Sequence, residues 1–178
     1  MATFKERLVS PKEVWLLLAV AALPIYSWSI YHFLERFTGW LYYLTVWEIA
    51  GIFAYTQAFA LIESLLVVAG VVLMALVLPR RLLRADLVPM GAAVILLSTL
   101  WAILAQYNDQ VLRELSLPIL LLWAGIYLTT IIAAWFLLYR SRRVKQLIHS
   151  VAERVSVLLY LYLPLSFLGL LIVLLRNL

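Results

Sequence analysis

Five long apolar segments run through the chain, and they restrict its fold more than any other feature. Each comes close to the roughly 20 residues that a helix needs to cross a bilayer core about 30 Å thick. We therefore predict an all-α, polytopic integral membrane protein with five transmembrane helices in one bundle. The predicted spans are Val14 to Leu34, Ala54 to Leu78, Leu87 to Gln106, Leu117 to Tyr139, and Val155 to Leu175.

The composition agrees with a membrane protein. Of the 178 residues, 66% are apolar and 13% are charged, and the mean hydropathy is +1.04, whereas a soluble domain carries about 25% charged residues. The length is that of about one domain, so residues 1–178 are predicted to form a single bundle without a soluble module. The absence of cysteine excludes disulfides, thiolate catalysis and cysteine metal sites.

Helix start and stop signals border these segments. Ser10 to Glu13 reads as a capping box with proline at the first helical position, and Pro79 follows the second span where a helix is expected to stop. Pro24 and Pro164 fall inside the first and last spans, where each is expected to remove a backbone hydrogen bond and kink its helix.

The basic residues predict the orientation. Of the 14 lysines and arginines, 11 precede span one or join spans two to three and four to five; only Arg36, Arg113 and Arg176 fall on the other side. The positive-inside rule then predicts a cytoplasmic amino terminus and an extracytoplasmic carboxyl terminus, in a plasma or inner cell membrane. This distribution explains the net charge of +5, and no nucleic-acid partner is predicted.

Loop residues near the cytoplasmic surface are expected to contact anionic lipid headgroups, where each cation contributes about 1 kcal/mol. The predicted headgroup contacts are Arg80, Arg81, Arg84, Arg140, Arg142, Arg143 and Lys145.

The second apolar segment is too long for the membrane. Trp47 to Leu78 would form a helix about 48 Å long, so residues 40–53 are predicted to lie in the outer interface and the hydrocarbon to begin near Gln57. On this count Glu63 lies about two turns below the outer surface, and Glu48 lies outside the hydrocarbon.

Glu63 is the one carboxylate within the apolar spans. Its helical neighbours include the small residues Ala60 and Gly70, so we predict that it faces another helix or a cavity, away from lipid. A charge on an exposed membrane helix face costs about 2.5 to 3.5 kcal/mol. A second small-residue stripe, Ala50, Ala54 and Ala58, is expected to pack a helix of the same chain, with a helix of another molecule as the alternative.

Three states of Glu63 are consistent with the sequence. It is protonated and hydrogen-bonded to Ser98, Thr99, Gln57 or a tyrosine; or it pairs with Arg36 or Arg113 reaching in from the loops; or it meets an ion, a proton or a basic group of a partner. No lysine or arginine lies inside any span to neutralise it.

The outer side holds the candidates for acid–base chemistry. His32 and Glu35 are one helical turn apart, and Glu48 and Asp109 lie in neighbouring outer segments. Their spacing singles out no nucleophile, and no metal or cofactor is predicted. A histidine with several acids would suit acid–base catalysis on a lipid-linked substrate.

Three functions follow from these patterns. The first is a non-enzymatic subunit or accessory factor that packs against other membrane proteins or against copies of itself, since packing surface is abundant and chemistry is sparse. The second is a small transporter or channel with Glu63 as its outer cation or proton site. The third is a membrane-embedded enzyme acting on a lipid-linked substrate at the outer face. The chain carries no phosphate-binding loop, nucleophile elbow or selectivity-filter motif.

Overall fold

The computed structural model describes residues 9–78, 86–108 and 117–177, and every regular element in these ranges is helical. Among them, five stretches are long and apolar enough to cross a membrane, and the last of these is the continuous run Arg142–Asn177. The prediction of five membrane-length helices is therefore confirmed. The helices are α1 (Pro11–Trp40), α2 (Val46–Val77), α3 (Leu87–Tyr107), α4 (Leu117–Arg140), α5 (Arg142–Val155) and α6 (Leu159–Asn177), with a 3-10 turn at Ser156–Leu158 between the last two.

Capping boxes start the first two helices. The Ser10 hydroxyl accepts a hydrogen bond from the Glu13 amide (3.2 Å), and the Glu13 carboxylate accepts one from the Ser10 amide (2.9 Å), as the sequence predicts. Thr45 and Glu48 form an equivalent box at the start of α2. Pro24 and Pro164 lie inside α1 and α6 as expected, and Pro79 lies outside the described residues.

Two helices extend beyond their predicted spans. α1 continues to Trp40, past the predicted end at Leu34, and residues 46–53 of the predicted interfacial segment form the first two turns of α2. Apolar length indicates where hydrocarbon begins, whereas capping groups decide where a helix begins. Here the Thr45 cap starts α2 well before its apolar part.

The helix ends collect at two poles. At one pole, called the basic end, α1 and α3 begin and α2 and α4 end. α5 packs there against α1, α3 and α4. Lys12 pairs with Glu153 of α5 (3.8 Å), and Asp86 pairs with Lys145. At the opposite end, the Asn177 amide nitrogen of α6 donates to the Tyr55 hydroxyl of α2 (2.6 Å).

The packed core lies between α1, α2, α3 and α6. Leu17 and Ala21 of α1 are fully buried together with Ile95 of α3 and Leu159 of α6. α4 stands outside this core: Leu138 is its single buried residue. The arrangement leaves most of α4 exposed to its surroundings.

Small residues bring α2 and α6 close together. Ala54 and Ala58 are buried and Ala50 is half-buried, and Gly169 of α6 lies against the backbone of Ala54. The prediction that this alanine stripe packs a helix of the same chain is confirmed.

Candidate functional site

Glu63 lies on the exposed surface of α2, between Phe59 (59% exposed) and Leu66 (66% exposed). The prediction that it faces another helix of this chain or a cavity is wrong. The buried stripe of α2 passes through Ser64 and Val68, and one residue is about 100° of helical rotation. Glu63 is thereby turned out of the core.

The small residues near Glu63 explain the wrong prediction. Ala60 is buried at the edge of the stripe, but a side chain added at Gly70 would meet no atom within 4 Å. Small residues permit close helix contact without showing which helix makes it. The surface at Gly70 is therefore uncovered in the single chain, as is the surface at Glu63.

The predicted hydroxyl partners of Glu63 are engaged elsewhere. The Ser98 hydroxyl shares a hydrogen bond with the Tyr127 hydroxyl (2.9 Å), and the Thr99 hydroxyl donates to the Ile95 carbonyl oxygen (2.9 Å). The first bond joins α3 to α4 and the second lies within α3, so neither hydroxyl reaches α2.

The predicted ionic partners do not reach Glu63 either. Arg36 forms no ion pair with it, and Arg113 lies outside the described residues. Across the described part of the chain, no side chain donates a hydrogen bond to the Glu63 carboxylate. The chain thus presents an unpaired carboxyl group on an apolar helix face.

Gln57, another predicted partner of Glu63, points into the bundle instead. It is completely buried, its Cβ lies 3.4 Å from the place a Gly169 Cβ would take, and its amide oxygen and nitrogen find no hydrogen-bond partner among the described residues. A buried unpaired amide is destabilising by about 1 to 3 kcal/mol. The sequence gives no sign of this arrangement, because it depends on which face of α2 meets α6.

A buried hydroxyl pair joins the first and last helices one turn away from this contact. The Tyr26 hydroxyl is hydrogen-bonded to the Ser166 hydroxyl, and both residues are inaccessible to solvent. The Tyr26 ring stacks on Tyr162 with a centroid distance of 4.5 Å. These residues fix the position of α6 against α1.

At the opposite end, the structure brings together two of the four catalytic candidates. His32 Nδ1 lies 3.0 Å from the Glu35 carboxylate, and the His32 ring packs edge-on against Trp28 (centroids 4.5 Å apart). Both side chains are about half exposed. Among the described residues, no group of three or more histidines, aspartates or glutamates is arranged to hold a metal ion.

The other two candidates do not join this pair in the described structure. The Glu48 carboxylate accepts hydrogen bonds from the Thr45 amide and hydroxyl (both 2.7 Å). These bonds, together with the nearby Arg176 charge, lower the pKa of Glu48. Its carboxylate therefore caps α2, and Asp109 lies outside the described residues.

The basic end carries a polar cleft of about 620 Å³ between α1, α3 and α5. Glu13, Asp86, Lys145 and His149 line it. Arg140, Arg142 and Arg143, the predicted headgroup contacts in this region, are exposed, while Lys145 is mostly covered and paired with Asp86. Arg80, Arg81 and Arg84 lie outside the described residues.

Glu63 does not line this cleft, nor either of two other cavities formed by described residues. Comparison with protein-family models, with curated proteins and with solved structures finds no match to this chain.

Proposed function

We propose that this chain is a non-enzymatic subunit or accessory factor of a membrane protein complex, and that the α2 surface around Glu63 contacts the partner. The observation that supports this proposal is the exposure of Glu63 between Phe59 and Leu66. An apolar helix face with one polar group is suited to a neighbouring membrane helix, which supplies both packing and a hydrogen bond.

The energetics favour a partner over lipid at this surface. An ionised carboxylate costs about 2.5 to 3.5 kcal/mol at the centre of a membrane helix on the mild insertion scale, and exposure to lipid in the outer half, the proposed depth of Glu63, is unfavourable for the same reason. A partner group that bonds to Glu63 removes much of this penalty, and contact with Phe59, Ile62 and Leu66 adds dispersion energy.

The chemistry of the partner follows from the charges of this chain. No lysine or arginine lies within the five spans, so a second copy offers no counter-ion at the depth of Glu63. A different membrane protein, with a basic or amide side chain in the outer half of a helix, fits this face better.

The proposed orientation places the basic end in the cytoplasm. Six described basic residues gather there, and only Arg36 and Arg176 of the described basic residues lie toward the opposite end. Anionic lipids of the inner leaflet would attract this end. The corresponding location is a plasma or inner cell membrane, with Glu63 in its outer half.

Native mass spectrometry after mild detergent extraction from the native membrane tests the proposal. The wild-type chain of 20.4 kDa is expected to carry a partner of defined mass. Glu63→Leu is expected to release the free chain, and Glu63→Gln separates the two kinds of contact: it preserves a hydrogen bond but abolishes an ion pair. Leu121→Ala, at an exposed position on α4, is the control and leaves the complex intact.

Two results would overturn the proposal. One is a wild-type chain that is monomeric and has no partner but still shows full activity of some kind by itself. The other is a cation or proton flux in proteoliposomes of the purified chain that Glu63→Gln abolishes, because this result assigns transport to Glu63.

A further inference from the structure

An apolar groove of about 440 Å³ lies where α2 ends, α3 begins and α4 ends. Met74, Met90, Val94, Ile131 and Trp135 are among its lining residues. We propose that this groove binds one acyl chain of an anionic phospholipid, with the phosphate held by arginines at the basic end. The inference uses the proposed orientation but is independent of the α2 surface around Glu63.

The length of the groove matches one leaflet. On α4 its lining runs from Tyr127 to Leu138, which is about 16 Å of helix. Half of a bilayer core is about 15 Å. A chain that enters at the basic end can therefore lie along the groove to the middle of the membrane.

The lining of the groove suits hydrocarbon. Every residue that lines it is apolar, apart from the Tyr127 hydroxyl and the Trp135 indole N–H. An acyl chain has no polar group that needs a hydrogen-bond partner and therefore fits this lining.

Hydroxyl and indole contacts between α3 and α4 mark the inner limit of the groove. Tyr127 lines that end and its hydroxyl is bonded to Ser98, and close by the Trp101 indole N–H donates to the Thr130 hydroxyl (3.2 Å). These bonds hold α4 on α3 beyond the groove. Toward the basic end, the two helices are bridged instead by apolar side chains around an open space.

Basic residues follow the groove-lining part of α4 along the chain. Asp86 stands one turn before Met90 on α3 and pairs with Lys145, so this lysine is already neutralised. Arg140 follows Leu138 by two residues and Arg142 by four, and both are exposed and form no ion pair with a described acid. Their guanidinium groups are free to take a phosphate in the bidentate geometry that arginine favours.

Native mass spectrometry of the purified full chain tests the groove. The chain is titrated with phosphatidylglycerol or with phosphatidylcholine of the same acyl length. Phosphatidylglycerol is expected to bind about tenfold more tightly, and the double variant Arg140→Gln/Arg142→Gln is expected to remove this preference while phosphatidylcholine binding persists. Arg154→Gln, which removes an exposed arginine of α5 away from the groove, retains the preference.

Filling the groove provides the second arm. Ala93→Phe places a ring where Ala93 lines the groove and is expected to reduce binding of both lipids; Ala133→Phe adds the same volume at an exposed position of α4 and does not. If Ala93→Phe fails to fold, Ala134→Leu fills the same space. Equal lipid binding by Ala93→Phe and Ala133→Phe would overturn the acyl site. Equal affinity of the wild type for the two lipids would overturn the proposed preference for an anionic headgroup. Inorganic phosphate that competes as well as phosphatidylglycerol would also overturn the acyl site, since binding would then not need the acyl chain of the lipid.

Discussion

Gly169 of α6 lies directly against Ala54 of α2: a Cβ atom on Gly169 would sit 2.8 Å from the Ala54 carbonyl oxygen. Gly169→Ala must therefore push the two helices apart, and overpacking of this kind costs about 1 to 3 kcal/mol. Thermal unfolding in detergent, followed by circular dichroism, measures the loss. Gly125→Ala is the matched control, because nothing lies within 4 Å of its Cβ and it should be neutral or slightly stabilising. Equal stability of Gly169→Ala and wild type would contradict the close contact.

The hydroxyl pair between α1 and α6 gives a second prediction. Tyr26→Phe leaves the buried Ser166 hydroxyl without its partner and is expected to lower the free energy of unfolding by about 1 kcal/mol. Tyr162→Phe preserves the stacked rings and removes a hydroxyl that bonds to no described residue, so its effect should be smaller. A loss with Tyr162→Phe as large as that with Tyr26→Phe would contradict a specific role of the Tyr26–Ser166 hydroxyl pair.

Gln57 gives a prediction of opposite sign. Because its buried amide has no partner among the described residues, Gln57→Met removes an unsatisfied polar group while nearly preserving volume. The variant is expected to be more stable than wild type by about 1 to 3 kcal/mol. The same unfolding measurement serves as the test. A loss of stability would indicate that a bound water or ion satisfies the amide in the membrane.

The proposed orientation can be tested by cysteine labelling, because the natural chain contains no cysteine. Ser150→Cys lies on α5 at the basic end, and Tyr43→Cys lies in the exposed turn after α1 at the opposite end. In intact cells a membrane-impermeant maleimide should label position 43 but not position 150, and lysis should expose both. Labelling of position 150 alone in intact cells would show that the true orientation is the opposite of the proposed one.

The Thr45–Glu48 cap predicts a pH dependence. Hydrogen bonds from Thr45 lower the pKa of Glu48 in the folded chain, so the unfolded chain binds its proton first as the pH falls. The stabilisation is complete above the ordinary glutamate pKa and is lost as the pH falls through the lowered one. Glu48→Gln, which can still cap the helix, should weaken the dependence of the unfolding midpoint on pH between about pH 7 and about pH 3. An unchanged profile would contradict the role of this carboxylate.

The helices could be predicted from sequence because membrane thickness restricts each of them separately. Twenty apolar residues form a span whatever their neighbours are, and the Ser10–Glu13 cap depends only on adjacent residues. The alanine stripe of α2 also indicates helix contact from sequence, but only the contact of Ala54 with Gly169 shows that the helix belongs to the same chain.

The direction of Glu63 could not be predicted in the same way. Nearly every residue of α2 is apolar, so hydrophobicity does not distinguish its core side from its lipid side. What decides the side is the fit of α2 against α1 and α6, through residues such as Gln57 and Gly169. That fit depends on the whole bundle, as does the groove between α3 and α4.

The bond between Tyr26 and Ser166 joins residues 140 positions apart, and this distance bears on how the chain is made. During synthesis α1 and α2 emerge long before α6, so Tyr26 and Gln57 enter the bilayer while the helix that will cover them is still untranslated. The contacts between α1 and α2 can form before α6 is made, whereas the Tyr26–Ser166 bond cannot. Assembly of the core is then a late event, completed only after the final span has left the ribosome.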